Sequence, residues 1–144
     1  MKETFSSLLD TARHAGEKIR EATNAAGQAV ADKTLQTIEN WLEEFPRIES
    51  YGLQITNFAF KMGLSPSLDT EFTGSHYSFP KERLAEILAE NKAASLTGMV
   101  FNAIKTAYYL HGKIASTLEE PLIVKIKLSL TPEISVFIGK PDIA

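Results

Sequence analysis

Twice along this chain a helical hydrophobic period gives way to strict alternation, and that double switch limits the folds open to it. Phe58, Phe60, Met62 and Leu64 alternate with Ala59, Lys61 and Gly63, and then Leu68, Thr70 and Phe72 alternate with Asp69 and Glu71. The pattern returns at Leu122, Val124, Ile126, Leu128 and Leu130, followed by Ile134, Val136 and Ile138. Alternation sends successive side chains to opposite faces, so each stretch reads as a strand with one buried face. Ser65-Pro66-Ser67 and Thr131-Pro132-Glu133 separate the members of each pair, which therefore read as β-hairpins.

A shift of 66 residues lays the first hairpin on the second: Phe58 on Val124, Phe60 on Ile126, Lys61 on Lys127, Pro66 on Pro132 and Leu68 on Ile134. The same shift sets Ile38 on Ile104 and Ile48 on Ile114. This agreement predicts a tandem duplication of one α-β-β unit. To keep every even position on one face, Leu64 is expected to pair with Leu68, and Leu130 with Ile134, across three-residue loops. Leu53 and Ile55 are out of phase with Phe58, which calls for a bulge near Thr56-Asn57.

Before each hairpin the apolar period is helical. Phe5, Leu8, Leu9, Ala12, Ala15 and Ile19 begin a stripe that runs on through Leu35, Ile38, Trp41, Leu42 and Phe45, where Pro46 is expected to end it. Unbroken, this helix would be ~60 Å long, against a diameter of about 40 Å for a compact domain of this size. It must either break near Gly16 or Gly27 or project. The second helical stretch opens at Phe79-Pro80, with Glu82 placed for the first turn, and Thr97-Gly98 is expected to divide it. Its face runs from Leu84 and Ile87 to Leu110 and Ile114, and Glu119-Glu120-Pro121 stops it.

The expected fold is α+β: a four-stranded, mainly antiparallel sheet with the helices packed on one face and a long N-terminal amphipathic helix. All 144 residues read as a single domain, with pseudo-repeats at about 12–74 and 80–140 and an extra helical arm at about 1–11. A net charge of −3 argues against nucleic acid as a partner. The absence of cysteine removes disulfides, thiolate metal sites and cysteine nucleophiles. No apolar run reaches the ~20 residues of a membrane span. With no signal-peptide pattern at Met1–Phe5, the expected location is the cytoplasm.

The sequence holds no nucleophile elbow and no phosphate-binding glycine loop, so no catalytic residues and no cofactor are assigned. Asp69, Glu71 and His76 form the one set whose convergence would suggest a metal or an active site, but on strands Asp69 and Glu71 equally suit a solvent face, with Lys61 opposite Glu71. His14 and His111 read as surface residues on helices. The pairs Glu43-Glu44 and Glu119-Glu120 read as solvated helix ends. Lys61, Lys125, Lys127 and Lys140, with Ile123 and Phe137 between them, mark a basic patch on the open sheet face, too sparse for nucleic acid.

Phe101, Tyr108 and Tyr109 could line an apolar pocket between helix and sheet, with Asn91, Ser95, Asn102 and Thr106 as polar anchors. Phe5, Leu8, Leu9, Ala12 and Ile19 offer an apolar helix face for self-association or a partner protein. The region 1–45 carries a net −3, which disfavours contact with anionic lipid. The leading expectation is thus a non-enzymatic interaction or scaffold module, forming a homo-oligomer or binding a partner through the N-terminal helix. The alternatives are a carrier of a small apolar, lipid-like molecule and an enzyme of unassigned chemistry.

Overall fold

The computed structural model describes residues 25–140. Phe5, Leu8, Leu9, Ala12, Ile19 and His14 lie outside the described residues, as does the expected arm at about 1–11. Two helices, α1 (Ala25–Leu42) and α2 (Phe45–Ser50), precede strands β1 (Gln54–Lys61) and β2 (Ser67–Gly74). A 3-10 turn at His76–Ser78 leads into α3 (Lys81–Glu90) and α4 (Leu96–His111), followed by β3 (Leu122–Leu128) and β4 (Pro132–Ile138). The four strands form one sheet in the order β1-β2-β3-β4, antiparallel at every step. No described helix is long and apolar enough to cross a membrane.

The even positions of the strands face the helices. Leu68 and Phe72 on β2, and Leu122, Val124, Ile126 and Leu128 on β3, are buried with almost no exposure. Against them pack Ile38 and Leu42 of α1, Phe45 and Ile48 of α2, Leu84 and Ile87 of α3, and Val100, Phe101 and Ile104 of α4. Phe45 meets Phe72 edge-on at 5.1 Å between ring centroids, a geometry that adds about 1 kcal/mol to plain burial.

The hairpin registers differ from the expected ones by an even number. Phe60 pairs with Leu68 and Lys61 with Ser67, which leaves a five-residue loop from Met62 to Pro66. Leu128 pairs with Pro132, so the second loop does hold three residues, Ser129 to Thr131, but it turns two residues earlier than expected. The prolines explain the difference: both suggest a turn centre, whereas Pro132 opens an edge strand, a position where its missing N–H is tolerated. An even slip keeps the faces but moves Leu64 and Leu130 out to exposed tips. The pairs Phe60–Leu68 and Ile126–Ile134 are themselves related by the 66-residue shift. The register does jump between Ile55 and Asn57, where the change of phase calls for a bulge.

The helix boundaries also differ from the expected ones. The N-terminal helix stops at Leu42, and Pro46 instead sits in the first turn of α2, where its nitrogen would have no helical acceptor. The second stretch divides at residues 91–95, ahead of Thr97-Gly98. Gly98 falls inside the first turn of α4, and a β-carbon there would lie 2.1 Å from the Lys92 carbonyl oxygen. Helix α4 ends at His111, so Ile114 is not on its face and is 85% exposed. His111 is the last residue of α4 and only half-buried.

Candidate functional site

Helices α3 and α4 run antiparallel along the outside of the molecule, and a cleft of about 430 Å³ opens between the start of α3 and the end of α4. Lys81, Leu84 and Ala85 line one wall, at the i, i+3 and i+4 spacing that shares a helix face. Lys105, Tyr108 and Tyr109 line the other with the same spacing. The floor is therefore leucine, alanine and two phenol rings, with an ammonium group on each wall. A third stands over the Tyr109 ring, the Lys113 Nζ lying 4.8 Å from its centroid. Among the described residues none of these three lysines forms an ion pair. Farther along the same two helices, Leu88, Asn91, Met99, Asn102 and Ala103 line a second hollow of about 400 Å³.

Tyr108 is anchored from behind. Its hydroxyl shares a 2.9 Å hydrogen bond with Nδ1 of His76, which is 6% exposed. The backbone N–H of His76 donates to the Glu120 carboxylate at 3.1 Å, and the Ser75 hydroxyl donates to the same carboxylate at 2.8 Å. Glu120 thus ties the α4–β3 connection to the 3-10 turn beneath the cleft. Burial lowers the His76 pKa below its ordinary 6.5, against the opposing pull of the Glu120 carboxylate. Burial, and secondarily the Glu120 charge, pushes the Tyr108 phenol up to about 12. Both groups are neutral near pH 7, so Tyr108 presents an uncharged ring to the cleft.

Of the three expected pocket residues, Tyr108 and Tyr109 line this cleft. Phe101 does not: it is fully buried in the core, packed on Tyr51 at 5.4 Å and Phe79 at 5.5 Å. The cleft lies on the outer face of the helix pair rather than between helix and sheet. Three of the expected polar anchors are occupied locally: Asn91 donates to the Ile87 carbonyl and the Tyr51 hydroxyl, Ser95 caps α4, and Thr106 donates to the Asn102 carbonyl.

Asp69, Glu71 and His76 do not gather. The two carboxylates face the open side of the sheet while His76 sits under Tyr108, and no group of three or more His, Asp or Glu side chains among the described residues is arranged to hold a metal. Lys61 meets Asp69 at 3.2 Å rather than Glu71. In register, Asp69 stands opposite Lys127, Glu71 opposite Lys125, and Lys127 opposite Glu133, so the lysines of the open face alternate with carboxylates. Lys125 also lies over the Phe137 ring at 5.0 Å. The expected basic patch is therefore a charge-balanced surface.

Two structural carboxylates belong to the glutamate pairs that the sequence alone marks only as solvated helix ends. Glu120 is one. The other is Glu44, which accepts from the backbone N–H groups of Leu96 and Thr97 at 3.0 and 2.9 Å and from the Thr97 hydroxyl at 2.9 Å. It caps the positive end of α4 from 52 residues away. A local capping pattern could not reveal it, because its acceptor comes from another element. Comparisons with protein-family models, curated proteins and solved structures return no match, so the chemistry of the cleft alone carries the functional reading.

Proposed function

We propose that this chain is a non-catalytic interaction module whose binding surface is the α3–α4 cleft. The observation that carries the reading is the union of an apolar floor and lysines without ion-pair partners among the described residues, on an outer helix face where a partner can reach it. The catalytic alternative has lost its basis in Asp69, Glu71 and His76. Anilinonaphthalene sulfonate, an apolar anion, is the simplest probe. Its fluorescence should rise on binding the native protein, fall with Tyr109→Glu, and stay unchanged with the hairpin-tip pair Leu64→Ser/Leu130→Ser. Enhancement that is absent, or that responds only to the hairpin-tip changes, would overturn the proposal.

The same reading keeps the N-terminal stretch bearing Phe5, Leu8, Leu9, Ala12 and Ile19 as a second contact element, used for self-association. Light scattering after size exclusion tests it. Removal of the residues before Ala12 should lower the oligomeric mass, and an unchanged monomer would remove this element from the account. We also read the architecture as a tandem α-β-β duplication. Its support is the common register of the hairpins at a 66-residue shift and the burial of both Ile38 and Ile104; Ile48 and Ile114, one buried and one exposed, do not contribute.

A further inference from the structure

Resting on the cleft as the binding surface, we infer that its partner is an acidic amphipathic helix of another protein. Charge is the first argument. The chain as a whole is net −3, yet Lys81, Lys105 and Lys113 surround one apolar depression without ion-pair partners among the described residues. The acidic residues of α3 nearest in sequence, Glu82 and Glu86, do not line it. Three ammonium groups beside apolar side chains complement a helix with leucine-like residues on one stripe and carboxylates flanking it.

Shape is the second argument. The cleft is open along one side of two antiparallel helices, and the second hollow follows the same pair toward Leu88 and Met99. A third helix laid there would bury its stripe along both depressions, using the small residues Ala85 and Ala103 for close approach. A small amphiphile would stay largely exposed in so open a site, whereas bound small molecules commonly lose 70–90% of their surface. The first 24 residues of this chain are a poorer complement, because they balance four basic against four acidic residues.

Fluorescence anisotropy on the full chain tests the inference. The probe is a labelled synthetic peptide with leucines at helical spacing flanked by glutamates; its counterpart with lysines in place of the glutamates is the control. The acidic peptide should bind, the basic one should not, and added salt should weaken the complex. Lys81→Glu/Lys105→Glu should weaken binding at least about tenfold, or about 1.4 kcal/mol. Both changes are on exposed side chains, and unchanged circular dichroism would confirm the fold. Equal binding of the two peptides, or binding indifferent to the lysine changes, would overturn the acidic-helix assignment. Oleate separates the two levels of the claim. If it binds in a Tyr109-dependent way while neither peptide binds, the cleft stands and the helix partner falls. If neither oleate nor peptide binds, both fall.

Discussion

His76 and Tyr108 are neutral partners beneath the cleft, and their titrations report directly on that arrangement. In the fold His76 resists protonation because burial penalises the imidazolium more than Glu120 favours it. The unfolded chain takes up the proton near 6.5. The stability His76 contributes is therefore complete above that pH and is lost as pH falls through the lowered folded value. Denaturant midpoints measured between neutral and mildly acidic pH should drop more steeply for the native sequence than for His76→Gln; parallel curves would refute this. Tyr108 gives the alkaline counterpart. The tyrosinate absorbance of the native protein, less that of Tyr108→Phe, should show a transition near pH 12 that returns toward 10 on unfolding. At this scale the sequence was half legible. Tyr108 and Tyr109 stood out as large aromatics at helical spacing, but the His76 contact spans 32 residues and follows from no local pattern.

At the scale of elements, α4 is capped from the turn between α1 and α2, where Glu44 lies. Glu44→Ala leaves two backbone N–H groups and the Thr97 hydroxyl without their acceptor, and should cost about 1–2 kcal/mol in equilibrium unfolding. Gly98→Ala should cost at least about 1–3 kcal/mol, because the Lys92 carbonyl occupies the space of the new methyl group. The hairpin register is open to the same measurement. Leu128→Ala should cost about 2–5 kcal/mol, whereas Leu64→Ser and Leu130→Ser should each stay within about 0.5 kcal/mol. Comparable losses at Leu130 and Leu128 would restore the register expected from the sequence. Strand phase was legible because alternation identifies the buried face unaided. Loop position was not, since a proline beside a turn and a proline opening a strand leave the same alternation. The open sheet face likewise showed its lysines in the sequence, but only the register of β2 on β3 places Asp69 and Glu71 against them.

The molecule as a whole presents one filled layer between sheet and helices, a charge-balanced outer sheet face, and a lysine-walled apolar cleft on the outer helix pair. Periodicity, applied to each stretch in turn, was enough to reach the α+β class and the antiparallel sheet. The cleft was less accessible, because its walls come from two helices whose mutual approach depends on the break at residues 91–95 and on Gly98. Hydrogen–deuterium exchange on the full chain, with and without the acidic amphipathic peptide, tests the cleft as the binding surface most directly. Protection is expected in α3 and the C-terminal half of α4, around Lys81 to Leu88 and Lys105 to Tyr109. Protection centred on the hairpin tips at Met62–Pro66 and Ser129–Thr131, or on the open sheet face, would contradict it.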